Sequence, residues 1–199
     1  MKRLVLASNN PGKLREFGEI LAPFDFELLP QSAFDVSEAE EPHPTFVENA
    51  LAKARHASAA TGLPALADDS GLCVPALGGA PGVYSARYGG EPKSDARNND
   101  KLLADLAALG EQADRRAHFF CVLVLLRHAQ DPQPLIVEGE WHGEILHAAR
   151  GAGGFGYDSL FLVPGLGLSS AELPAPQKNA LSHRGQALAH LIDRLRDGR

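Results

Sequence analysis

Apolar positions along this chain switch between two spacings, and the switches predict strands and helices in alternation. Leu4-Val5-Leu6-Ala7 reads as a short buried strand that runs straight into the polar stretch Ser8-Asn9-Asn10-Pro11-Gly12-Lys13. Asn10 suits a helix N-cap, and Pro11 suits the first turn because its missing N–H has no partner there. Leu14, Phe17, Gly18 and Leu21 then recur at helical spacing and predict an amphipathic helix. Phe24 to Leu29 reads as a second strand, after which Gln31 to Pro44 turns polar and acidic, with Glu38, Glu40 and Glu41 close together. Thr45-Phe46-Val47-Glu48 has the spacing of a capping box, and Val47, Ala50, Leu51 and Ala54 form the buried stripe of the helix it opens. Gly62 ends that helix, and the next strand leads into Asp68 and Asp69.

In the second half, Ser94 is placed to cap a helix that packs Leu102, Leu103, Leu106 and Leu109, with Gly110 as its stop. Phe119 to Leu126 is an unbroken apolar run rich in strand formers, which predicts a central strand covered on both faces. Leu135 to Val137 and Trp141 to Leu146 read as two further strands, antiparallel because their connections are short. Ser182 is a natural cap for a last helix with Leu188, Leu191, Ile192 and Leu195 inward. There is no internal repeat, low-complexity tract or linker composition, so residues 1–199 are read as a single domain, with room for two tightly packed lobes.

Composition narrows the classes. With 44% hydrophobic and 22% charged residues, the chain has the makeup of a globular protein and not of a disordered one. A net charge of -6 gives no reason to expect nucleic acid as a partner, although a local cluster of Lys and Arg can still hold a small anion. Cys73 and Cys121 share no metal-type spacing and read as buried free thiols in a reducing compartment. Met1 to Ala7 has too few apolar residues before Ser8 for a signal peptide, and no span is long enough to cross a membrane. The expectation is a cytoplasmic protein without a membrane partner.

Candidate chemistry centres on Ala67-Asp68-Asp69-Ser70-Gly71-Leu72. Neighbours on an extended segment point to opposite sides, so one carboxylate can bind a divalent cation or orient water while the other braces the loop. A plain turn is the competing reading, since Asp, Ser and Gly all favour turns. Ser8 to Lys13, a polar loop between strand and helix, is either an anion site or an ordinary connection with a surface lysine. Asn49 and Lys53 lie four apart and share a helix face. Arg87, inside the glycine-rich segment 78–90, is a candidate phosphate contact or a structural clamp. In Gly151-Ala152-Gly153-Gly154-Phe155-Gly156-Tyr157-Asp158, five glycines or alanines surround Phe155, which can stack on a base or fold into the core. Asp158 can accept from ring N–H groups. Lys178 follows, and then His183 and Arg184 stand in the first turn of the last helix.

Together these segments resemble one family, the noncanonical purine nucleoside triphosphate pyrophosphatases that act on inosine and xanthosine triphosphates. The matching pieces are Ser8 to Lys13, Glu48-Asn49-Ala50 through Lys53-Ala54, Ala67 to Leu72, Gly82-Val83-Tyr84-Ser85-Ala86-Arg87-Tyr88, Gly153 to Asp158, and Ser182-His183-Arg184-Gly185. They come in the family's order and span nearly the whole chain. Pro42-His43-Pro44 departs from the pattern, which has a glycine there, and leaves Glu40 and Glu41 both open as the acidic metal ligand.

The resemblance implies an α/β fold: a long twisted mixed β-sheet flanked by helices, in two lobes with a nucleotide cleft between them, and a homodimer. It implies hydrolysis of ITP, dITP or XTP between the α- and β-phosphates, giving a nucleoside monophosphate and pyrophosphate, with Mg²⁺ as cofactor. Asp69 then becomes general base and Mg²⁺ ligand, and Glu41 the second carboxylate on the metal. Ser8, Asn9, Asn10, Pro11, Gly12, Lys13, Lys53 and Ser70 would hold the triphosphate. Phe155, Gly156, Tyr157, Asp158, Lys178, His183 and Arg184 would hold the base. A 6-oxopurine offers an acceptor and an N1–H donor, so cationic donors with one carboxylate acceptor would reject adenine by leaving buried groups unpaired. The rival readings are a pyrophosphatase for modified pyrimidine nucleotides and a nucleotide-sensing module without turnover.

Overall fold

The computed structural model describes residues 2–24 and 26–197; Met1 and Asp25, which fall in the N-terminal reading and the second predicted strand, lie outside the described residues. The chain alternates strands and helices. It runs β1 (Lys2–Leu6), α1 (Pro11–Leu21), β2 (Phe26–Pro30), α2 (Phe46–Thr61), β3 (Ala65–Cys73), α3 (Asp95–Ala108), β4 (Arg116–Leu126), β5 (Leu135–Ile145), β6 (Phe161–Val163), β7 (Leu168–Ser169), α4 (Ala175–Leu181) and α5 (His183–Arg196). The strands form one seven-stranded sheet in the order β2-β1-β3-β4-β5-β6-β7. β1 pairs in parallel with β2 and with β3, as helical crossovers require, whereas β6 is antiparallel to both β5 and β7. The sheet is therefore mixed, and the fold is α/β.

The chain divides into two compact units. The first takes residues 1–69, 121–139 and 184–199; the second takes residues 70–120 and 140–183. In the first unit, Phe17 and Leu21 of α1 join Leu4, Leu66, Leu123 and Leu188 in one apolar core. In the second, Leu102 and Leu106 of α3 pack with Phe119, Trp141 and Phe161. Removing each such side chain from water contributes about 1.5–3 kcal/mol.

Several predicted elements differ in extent. The two strands expected at 135–137 and 141–146 are one, because the out-and-in alternation continues unbroken through Glu138-Gly139-Glu140. β4 starts at Arg116, three residues before the apolar run, since its first turn of alternation is half exposed. β3 carries both aspartates within the strand and runs on to Cys73, so the competing plain-turn reading of that stretch does not hold. A strand can carry two adjacent buried carboxylates when each face supplies cations. Leu109, expected in the packed stripe of α3, is instead 52% exposed at the helix C-cap. The caps themselves follow the sequence: Asn10 accepts from Gly12 and Lys13, Thr45 from Glu48, Ser94 from Arg97, and Gly62 ends α2 at φ 68°. α4, which carries Lys178, had no counterpart among the predicted elements.

Candidate active site

The two aspartates of β3 face separate sets of partners. Asp68 is buried, and its Oδ1 accepts from Lys13 Nζ at 2.6 Å while Oδ2 accepts from Arg184 Nε at 2.7 Å. Glu16 of α1 pairs with the same guanidinium through its Nη1. Burial alone would raise the Asp68 carboxyl, but Arg184 and Lys13 outweigh it and hold the group well below the usual carboxylate range. For Arg184 the balance is the same in reverse: burial opposes its charge, and Asp68 and Glu16 raise its pKa. The Cys121 thiol, 3.7 Å from Asp68 Oδ2, is pushed far up by burial and then by that carboxylate, so it stays protonated.

Asp69 belongs to a second group. Lys53 Nζ lies 2.7 Å from Asp69 Oδ1 and 2.7 Å from Glu41 Oε1. The local fold explains this meeting. Asn49, one turn before Lys53 on α2, accepts the His43 N–H and donates to the His43 carbonyl, each at 3.1 Å. That clamp holds the acidic segment against α2, so Glu41 reaches Lys53 while Glu40 is exposed. Burial raises the Asp69 carboxyl above its ordinary value; Lys53 and Lys13 pull it down, Glu41 pushes it up, and the net shift is upward. Lys53 is raised because Asp69 and Glu41 outweigh its own burial.

Asp69 Oδ2 is buried with no hydrogen-bond partner. Leaving such an acceptor unsatisfied costs about 1–3 kcal/mol. Two carboxylates, one with an orphaned buried oxygen, form a donor set that fits a hard divalent cation.

At the start of α1, Asn10 Oδ1 takes the Gly12 and Lys13 N–H groups at 2.9 and 3.2 Å. Ser8 Oγ accepts from the Asn10 N–H at 3.1 Å and keeps its own proton to donate. Asn9 and Pro11 are exposed beside them.

In the second unit, Asp158 gathers three donors. Its Oδ2 accepts from Phe155 N–H at 2.9 Å and from Lys178 Nζ at 2.7 Å, and its Oδ1 accepts from Ser170 Oγ at 2.8 Å. Gly154 makes this wrap possible: its φ is +72°, and a Cβ there would stand 2.1 Å from Asp158 Oδ2. The Lys178 ammonium lies 5.1 Å from the centre of the Phe155 ring, so lysine, carboxylate and aromatic form one cluster. Gly156 is tied to α3 through its N–H to Asp95 and its carbonyl from Asn99. Tyr157 is buried and donates to the Ser85 carbonyl. His183 stacks on Phe119 with centroids 4.8 Å apart at 11°. Arg87 lies over the Tyr84 ring at 5.3 Å.

The structure thus brings together Lys13, Asp68 and Arg184; Glu41, Lys53 and Asp69; and Phe155, Asp158 and Lys178. Ser70 opens the second unit, and the division between units falls between His183 and Arg184. Two members were missed from sequence. Glu16 lies three residues after Lys13 on α1, and that spacing was the available signal. Ser170 had none, because it reaches Asp158 from a distant short turn.

Comparison with known proteins bears on the whole chain. The Ham1 family model matches residues 4–194. A dITP/XTP pyrophosphatase of Aromatoleum aromaticum is 67% identical, over 97% of this chain and 96% of its own. Among solved structures, a HAM1 protein from Coxiella burnetii superposes with a TM-score of 0.92 at 50% identity, covering 99% of this chain and 100% of that one. The Staphylococcus aureus Ham1 protein gives a TM-score of 0.86 at 41% identity, with 100% of both chains covered.

Proposed function

The chain belongs to the Ham1 family, and from that premise we propose that it hydrolyses ITP, dITP and XTP to the nucleoside monophosphate and pyrophosphate. The observation that carries the reading is Asp69: a buried carboxylate raised above its ordinary pKa, with one unpartnered oxygen, beside Lys53 and Glu41.

A general base works best when its pKa approaches the working pH; burial moves Asp69 that way, and a bound Mg²⁺ would act against that rise. Asp69 takes the proton of the attacking water as the α–β phosphoanhydride breaks and pyrophosphate departs. Mg²⁺, held by Asp69 and Glu41, would neutralise phosphate charge when bound. Lys13 and Lys53 supply fixed positive charge to the leaving pyrophosphate, with Ser8 to Gly12 and Ser70 as further phosphate contacts. Phe155 stacks on the base, flanked by Gly156 and Tyr157. Lys178 and His183 donate to the 6-oxo group, and Asp158 accepts N1–H through the lone pair left on Oδ1. Adenine would strand those donors.

Residues 1–199 act as one catalytic domain in a cytoplasmic homodimer that takes small nucleotides and not nucleic acid. Among the described residues no helix is long and apolar enough to cross a membrane. The test is pyrophosphate release from ITP, XTP, ATP and modified pyrimidine triphosphates at fixed Mg²⁺. Release from ITP and XTP far above the rest supports the reading. Preference for a pyrimidine, or tight binding of ITP with no turnover, overturns it.

A further inference from the structure

The outward face of β5, within the second unit, carries a second group of potential ligands that the proposed hydrolysis does not use. Glu140 and His142 stand two apart on the strand and so project to the same side. His118 joins them from β4, the neighbouring strand, with its ring centroid 5.6 Å from that of His142. Glu140 Oε1 lies 3.4 Å from His118 Nε2 and 3.6 Å from His142 Nε2. One ligand atom from each residue falls within 4.8 Å of the others.

Those separations are long for charge-assisted hydrogen bonds, which close to about 2.7–2.9 Å. They match ligands round a cation. A tetrahedral metal with bonds of about 2.0–2.1 Å sets its ligands about 3.4 Å apart. Two imidazole nitrogens and one carboxylate oxygen also select a particular chemistry: they suit Zn²⁺, Cu²⁺ or Ni²⁺, whereas Mg²⁺ prefers all-oxygen surroundings. The donor set differs in kind from that of Asp69 and Glu41.

We propose that His118, Glu140 and His142 form a divalent transition-metal site that ties β4 to β5, with water completing the coordination. The strand pair already holds the ligands near bonding geometry, so binding needs side-chain adjustment only. The site is partly open: the His142 side chain is 76% exposed and that of Glu140 44%. Metal should therefore exchange with solvent, and binding should raise the melting temperature.

The test is Zn²⁺ titration by calorimetry on chelator-stripped full-length protein, with Cu²⁺ electron paramagnetic resonance as the spectroscopic readout. Variants are His142→Ala, the double variant His118→Ala with His142→Ala, and Asp69→Asn. His142 is exposed enough that its removal leaves the core intact. We expect one Zn²⁺ per chain that persists in Asp69→Asn, weakens at least tenfold in His142→Ala and vanishes in the double variant. Nitrogen coupling in the Cu²⁺ spectrum should report two imidazoles in the parent and one in His142→Ala. Zn²⁺ affinity unchanged in the double variant, or binding that disappears in Asp69→Asn alone, overturns the proposal.

Discussion

Arg184 Nε donates to Asp68 Oδ2 across 2.7 Å, joining the first turn of α5 to the middle of β3 with both side chains almost wholly removed from water. Lys13 completes the pairing on the other oxygen. Replacing Asp68 with Asn would leave Lys13 without its counter-charge and Arg184 with Glu16 alone, and breaking a buried pair in this way costs about 3–5 kcal/mol. We expect Asp68→Asn to lower the free energy of unfolding by that order, measured by urea unfolding.

The same pair sets an acid limit on stability. The folded pKa of Asp68 lies well below the ordinary 3.8. A depressed carboxylate contributes stability that is present above its unfolded pKa and lost as pH falls through the folded one. The parent should therefore lose stability as pH drops below about 4, whereas Asp68→Asn, with no group to titrate there, should show a shallower slope. Parallel slopes would assign the acid transition elsewhere.

Asp69 should behave oppositely. Its folded pKa is raised, so its contribution favours folding at low pH and is lost as pH rises through the folded value. Asp69→Asn should thus fold about as well as the parent near neutrality while losing nearly all turnover. Retention of more than about a tenth of kcat would contradict the base role, given the ~10²–10⁴-fold attributed to such catalysis.

Lys53 lowers the pKa of Asp69 while bridging it to Glu41. Lys53→Ala should raise KM, lower kcat and shift the acid limb of kcat/KM to higher pH, because Asp69 loses its nearest cation. A limb that stays in place would separate Lys53 from the base. Lys13→Ala should raise KM and lower kcat as well, with an added loss of stability through Asp68.

How much of this was legible in the sequence depended on range. Asn10, Thr45, Ser94 and Gly62 act within a few residues of themselves, so the caps followed from local chemistry. Asp68 and Asp69 were visible as a pair, but not which partners each would find, since Arg184 lies 116 residues from Asp68 and Lys53 lies 16 from Asp69. The extension of β3 through both aspartates followed from those distant cations and was hidden for the same reason. α4 is short and carries no amphipathic repeat long enough to read.

Lys178, Asp158 and Phe155 form one cluster, which makes base choice testable there. Lys178→Ala should reduce kcat/KM for ITP and XTP much more than for ATP, narrowing a ratio that hydrogen-bond matching can carry to ~10⁴. Ser170→Ala, which removes only a donor to Asp158, should give a smaller change in the same direction. An equal fall for all nucleotides would place Lys178 in phosphate binding or in the fold.

The most direct measurement is the identity of the products formed from dITP with Mg²⁺, followed by ³¹P nuclear magnetic resonance in the parent and in Asp69→Asn. The expected result is dIMP and pyrophosphate in equal amounts from the parent, with neither formed by the variant at comparable enzyme. Release of orthophosphate with dIDP, or pyrophosphate formation undiminished in Asp69→Asn, would contradict α–β hydrolysis by this carboxylate.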